Sequence, residues 1–177
     1  MFEKSIAVQP NYAAYSNLGT LRFSQGRYAE AARMLEGAVK LNERNSQLWG
    51  NLASAYYWAP GEREKSRSAY ERTLALAEAE SLINPRNVSL MLRIADCHSR
   101  LGHTAQARAL IERAVRLDPQ DVNVLFRIGE VYEQIGERER ALQWIRKALE
   151  RGYPRDLAER SPGLTELRAD SRFTWRQ

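Results

Sequence analysis

Side chains that do chemistry are scarce in this chain, which holds one cysteine, Cys97, and two histidines, His98 and His103. A single thiol excludes an internal disulfide, and the place of Cys97 on an apolar helical stripe makes it a small buried hydrophobe. This usage suits a reducing compartment, so a cytoplasmic location is expected. His98 adjoins Cys97 and reads as partly buried filler, while His103 lies in the turn Gly102-His103-Thr104 and reads as exposed. With two of the three candidate ligands adjacent there is no zinc spacing, and neither a metal nor a cofactor is expected. Glycines are also dispersed: Gly19, Gly26, Gly50 and Gly61 stand singly, in no G-x-x-x-x-G-K-[ST] string that would cradle phosphates. The sequence gathers no nucleophile, base or metal set, so the chain is read as no enzyme, with no small-molecule substrate.

Long apolar runs are missing too. None approaches the roughly 18 to 20 residues that span a bilayer. The opening MFEKSIAVQP has no basic stretch followed by an apolar core, so neither membrane insertion nor a secretion signal is expected. Positive charge is in excess but not clustered. Lys and Arg number 27 against 22 Asp and Glu, a net +5, yet Arg138, Arg140, Arg146 and Lys147 are interleaved with Glu137, Glu139 and Glu150 as on a solvated helix face. Nucleic-acid binding by counterion release is therefore the weakest of the functional readings.

What the chain does have is one plan used repeatedly. In residues 88–121, apolar Met91, Ile94, Cys97 and Leu101 fall three to four apart, and Gly102 breaks the run. Ala107, Leu110, Ile111, Ala114 and Leu117 then resume it, before Asp118-Pro119 ends it. Two amphipathic helices joined by a turn make the unit, with small Ala95, Ala107 and Ala114 where the helices approach. The same spacing returns from Val122 with Leu125, Ile128, Gly129, Tyr132, Gly136, Ala141, Ile145 and Ala148. It is present earlier with Tyr15, Leu18, Gly19, Gly26, Tyr28, Ala31, Leu35 and Ala38.

The segments are read as follows: residues 1–11, the remnant of a second helix; 12–45, repeat one; 46–87, repeat two; 88–121, repeat three; 122–154, repeat four; and 155–177, a helical cap. Phe2, Ile6 and Val8 would be the apolar face of that opening remnant, so the sequence is expected to begin inside a repeat. Repeat two carries an extra residue in the turn Trp58-Ala59-Pro60-Gly61 and seven more in its second helix, close to two full turns, which keeps the apolar face in phase. The added stretch LALAEAESLI would project as a ridge over residues 74–82, a docking edge or filler. In the cap, Ser161 is expected to start a short helix at Pro162. Leu157, Leu164, Leu167, Phe173 and Trp175 are expected to cover the last repeat.

The period and these residues resemble the tetratricopeptide repeat, whose signature runs W-x2-L-G-x2-Y, then A-x3-F, then P. The pattern departs at Arg22, where that family prefers Tyr, and at Glu43, where it prefers Pro. The resemblance implies an all-α, right-handed α-solenoid of helix-turn-helix units with a C-terminal helical cap, serving protein–protein interaction. The order of features also resembles the C-terminal arrays of bacterial serine/threonine protein kinases and related signalling proteins, including nucleotide cyclases and winged-helix regulators. NLG stands in the first unit, WGNLASAY with a Pro-Gly turn in the second, and GYP with SPGLTELRADSRF at the end.

In that family the first helices line a concave groove. Matching positions places Asn17, Thr20, Phe23 and Ser24 there from repeat one, and Asn51, Ser54, Tyr57 and Trp58 from repeat two. Repeat three gives Ser89, Arg93, Asp96 and Arg100, and repeat four Asn123, Arg127, Glu130 and Gln134. Asn17 and Asn51 hold one position in successive units, where an amide can both donate to and accept from the backbone of an extended peptide. Arg93 and Arg127 hold it in the next two and suit a carboxylate-bearing segment. Of the set that clamps a chaperone's C-terminal carboxylate, Asn51 and Arg93 match, but Ser16, Thr20 and Ser89 do not, which argues against that ligand. The expected partner is a protein or extended peptide. A homo-oligomer formed through the ridge or the N-terminal remnant is the alternative.

Overall fold

The structure, a computed structural model, describes residues 11–117 and 119–173. Residues 1–10 of the proposed helical remnant 1–11, together with Asp118 and Trp175, lie outside the described residues. All regular structure among these residues is helical, which is the all-α, helix-turn-helix class of the α-solenoids. Four helix pairs are formed: α1 (Tyr12–Ser24) with α2 (Tyr28–Leu41), α3 (Ser46–Trp58) with α4 (Arg63–Ile83), α5 (Val88–Arg100) with α6 (Thr104–Arg116), and α7 (Val122–Gln134) with α8 (Arg138–Glu150). After them come α9 (Arg155–Arg160), a 3-10 turn (Pro162–Leu164) and α10 (Thr165–Ala169). The chain divides between Ile83 and Asn84 into two compact units.

Each first helix starts the same way. The side chains of Asn11, Asn45, Asn87 and Asp121 accept from backbone N–H groups in the first turns of α1, α3, α5 and α7, for example from Ala14 N at 2.8 Å and Leu90 N at 3.0 Å. That satisfies donors which the helix itself leaves unpaired. Three of these helices also end alike. After α1, α5 and α7 a glycine at positive φ lets the next N–H reach back five residues, as in His103 N to His98 O at 2.8 Å and Glu137 N to Tyr132 O at 2.9 Å. The turn after α3 is one residue longer and uses Pro60 and Gly61 instead.

In the first unit, α1 packs on α2, α3 on α4, and α2 on α3. Leu18, Leu35, Leu52, Ala53 and Tyr70 are buried at these contacts, and the buried hydroxyls of Ser66 and Thr73 donate to Ala53 O and Ala69 O. The helix α4 has 21 residues where the other second helices have 13 or 14. Its added turns do not all stand free as a ridge. Ala77 is buried, and the Glu80 carboxylate accepts from Ser46 N at 3.3 Å and Ser46 Oγ at 2.9 Å, a negative charge at the start of α3. At the tip, Leu82 and Ile83 are open to solvent.

In the second unit, Leu92, Ala95, Ile111, Leu125, Ile128, Val131, Leu142 and Ile145 form one core, continued by Ala158, Leu164, Leu167 and Phe173 from the cap. Two details of the cap differ from the sequence reading. Leu157 is 42% exposed, and Ala158 beside it is the residue of α9 that is buried. Ser161 does not cap the following turn with its side chain. Its Oγ donates to Glu130 Oε1 on α7 at 2.7 Å, and the segment begins as a 3-10 turn before becoming α-helical at Thr165. A long-range partner outcompeted the local one.

Candidate partner-binding surfaces

The first-helix face of the first unit is polar at one end and aromatic at the other. Asn17 and Thr20 are exposed on α1, and Asn51 and Ser54 half-buried on α3. Thr20 Oγ1 donates back to Ser16 O at 3.0 Å, and Ser54 Oγ shares a hydrogen bond with the Tyr70 hydroxyl at 3.2 Å. The side-chain amides of Asn17 and Asn51 have no hydrogen-bond partner among the described residues. Towards the helix ends, Tyr57 and Trp58 join a half-buried aromatic cluster. Phe23 meets Tyr28 edge-on at 5.1 Å, Tyr57 meets Trp58 at 5.1 Å, and Tyr28 lies 6.3 Å from Trp58. The Arg63 guanidinium sits over the Tyr57 ring at 3.6 Å, a cation–π contact. Tyr28 and Arg63 come from second helices and were absent from the sequence-derived set.

The corresponding face of the second unit is charged, and its charges answer one another. Arg93, Asp96 and Arg100 on α5 and Arg127, Glu130 and Gln134 on α7 are all half-buried. Arg100 Nε lies 3.8 Å from Asp96 Oδ1. Gln134 Oε1 accepts a short hydrogen bond from Ser99 Oγ, and Glu130 is taken by Ser161. Burial pushes the Glu130 carboxyl above its ordinary value, against the opposing pull of Ser161, Arg127 and Arg100. At the other end of α7, Phe126 is buried beneath Tyr153, the rings stacked 3.9 Å apart and 4° from parallel. In the sequence, Tyr153 stands out only within GYP at the end of repeat four.

The raised Glu130 sets a pH dependence. Its folded pKa exceeds its unfolded one, so between the two the native state holds the extra proton and stability falls as pH rises through that window. Glu130→Gln removes this titration. Urea melts of the variant and parent between about pH 4 and pH 8 should show the difference moving in the variant's favour as pH rises. A pH-independent difference would contradict the burial of this charge.

Cys97 is buried, and desolvation raises its thiol well above the ordinary range, so it is an inert packing group. His98 is half-buried and His103 exposed, and the two side chains meet. Their Nδ1 atoms lie 3.2 Å apart, because the glycine turn ties His103 N to His98 O. Among the described residues, no three His, Cys, Asp or Glu side chains converge to hold a metal ion. None of the described helices is long and apolar enough to cross a membrane. The first unit also has a recess outside the predicted face: a cavity of about 770 Å³ between α2, α3 and α4, lined by Val39, Trp49, Leu52, Tyr56 and Ala69 and rimmed by Lys40, Lys65, Arg72, Glu36 and Glu64. The Tyr56 hydroxyl donates to Glu36 Oε1 within it at 2.7 Å, and Lys65 pairs with Glu62 at 2.8 Å.

Residues 22–81 and residues 92–156 each match the tetratricopeptide repeat, and together the matches take in more than half of the chain. The chain belongs to the tetratricopeptide repeat family. The crystal structure of a thermophilic tetratricopeptide repeat protein from Thermus thermophilus shares the fold, with a TM-score of 0.61 and 24% identity over 92% of this chain and 87% of that one. A crystal structure of MamA aligns with a TM-score of 0.48 and 22% identity over 85% of this chain and 84% of its own. No curated protein matches the sequence. Tetratricopeptide repeats serve as scaffolds for protein–protein interaction.

Proposed function

We propose that this chain is a non-catalytic interaction module in the cytoplasm, forming part of a larger bacterial signalling protein such as a serine/threonine kinase, and that its first helices bind an extended peptide. The observation carrying the peptide reading is the pair of amides at Asn17 and Asn51. They occupy one position in successive repeats, and their hydrogen-bonding capacity is unused among the described residues. An amide offers both a donor and an acceptor, which is what a peptide backbone needs. On the second unit, Arg93, Arg127 and Arg100 outnumber Asp96 and Glu130, so a carboxylate-bearing stretch is the better electrostatic fit there.

One experiment addresses both parts. An antibody against this segment, used on the source cell, should recover a polypeptide well above 20.3 kDa together with a bound protein. Recovery of that protein should fall about tenfold in strains carrying Asn51→Ala or Arg93→Glu, a loss of about 1.4 kcal/mol. A band at 20.3 kDa removes the signalling-protein part, and unchanged recovery moves the site off the first helices.

A further inference from the structure

The cavity between α2, α3 and α4 lies away from the groove residues and has its own chemistry. Its floor is apolar, with Val39, Trp49 and Leu52, and Lys40 and Arg72 on its rim have no hydrogen-bonded or ion-paired partner among the described residues. A fitting occupant presents aliphatic side chains with a carboxylate close by. The other end of α4 presents that combination. Leu82 and Ile83 are 85% and 88% exposed, and Glu78, one turn earlier on the same face, has no side-chain partner among the described residues. The tip is held in helical form by the Glu80–Ser46 bonds just before it.

The two halves also have matching registers. Glu64, Ser68, Arg72, Ala75, Ala79 and Leu82 recur at intervals of three and four and are all exposed, a continuous solvent-facing stripe along α4. Two α4 helices laid antiparallel along this stripe, centred on Ala75, would set Glu78 of one copy opposite Arg72 of the other. Leu82 would then stand opposite Ser68, at the edge of the cavity. A two-fold axis repeats both contacts, so the arrangement closes at a dimer. Ala75 and Ala79 at the crossing let the backbones come close. We propose that this chain self-associates as a two-fold dimer through α4, with Leu82 and Ile83 of each copy entering the α2–α3–α4 cavity of the other. The surface shares no residue with the first-helix groove, so each can fail without the other.

Sedimentation velocity of the whole chain over about 1–200 µM tests this. The sedimentation coefficient should rise with concentration to a plateau at the dimer. The combined Leu82→Asp and Ile83→Asp variant, or Arg72→Glu alone, should move the midpoint at least about tenfold higher in concentration. The swap Arg72→Glu with Glu78→Arg should bring it back towards the parent. All four positions are exposed, so circular dichroism should be unchanged, and the swap separates a lost contact from a lost fold. A monomer at every concentration would overturn the proposal. So would a dimer indifferent to the aspartates, a swap that fails to restore association, or growth beyond the dimer.

Discussion

Truncating Phe126 to alanine is expected to lower the unfolding free energy by about 3–5 kcal/mol. The ring is 3% exposed and stacks directly on Tyr153, so its loss opens a void and also strips the contact that starts the C-terminal cap. Tyr153 is positioned by the glycine turn that ends α8, where its N–H returns to Ala148 O at 2.9 Å. From there the chain runs to Ser161 on Glu130 and on to Leu164, Leu167 and Phe173 in the core. Removing the first contact should loosen the rest. Urea denaturation gives the magnitude, and limited proteolysis should cut residues 153–163 faster in Phe126→Ala than in the parent. Tyr153→Phe keeps the ring and should stay close to the parent. A loss below about 1 kcal/mol would mean that the stack does not anchor the cap.

The helix pairs were legible because the period is written twice over, in apolar residues at helical spacing and in the single glycines between them. The caps at Asn11, Asn45, Asn87 and Asp121 could have been read as well, since these Asn and Asp residues precede each first helix. The His98–His103 pair was also within reach. A bond from the residue after the turn glycine back to the one five positions earlier brings those two residues together, as it does Tyr132 with Glu137 and Ala148 with Tyr153. Three things were not legible: Ser161 leaving its local cap for Glu130, Glu80 turning to Ser46, and Tyr153 lying on Phe126. Each depends on a partner some 27 to 34 residues away in a sequence whose repeat fixes the elements but not which side chains cross between them.

On the candidate groove of the second unit, Glu130 and Gln134 are already hydrogen-bonded and Asp96 lies beside Arg100, none of which repeat position reveals. An acidic peptide must compete with Asp96 for Arg100, which reduces net affinity and raises selectivity. The first unit differs in kind. Asn17 and Asn51 are bound to nothing among the described residues, and a ligand there gains their hydrogen bonds without breaking others.

Replacing Gly129, where α7 packs tightly on α8, should give a second large effect. A Cβ added at Gly129 would lie 2.6 Å from Ile145 Cδ1, 2.7 Å from Ile145 Cγ1 and 3.1 Å from the Ile145 backbone nitrogen. The side-chain atoms can give a little, but the nitrogen belongs to α8 and moves only with the helix. Alanine at this position gains up to about 1 kcal/mol of helix propensity, which offsets part of an overpacking cost of about 1–3 kcal/mol. A small net loss is expected for Gly129→Ala. Valine adds two methyl groups to the same gap and a restricted χ1, with less propensity in return, and Gly129→Val should cost about 3 kcal/mol or more. The equivalent place is already alanine in two other repeats, at Ala53 and Ala95, where Ala95 lies in the same core as Ile111. Small residues are therefore accepted there when the pair is spaced for them. Thermal melts of the two variants should separate clearly, with valine far below alanine. Equal melting temperatures would show that α7 and α8 can slide apart freely, against the tight packing of Gly129 on Ile145.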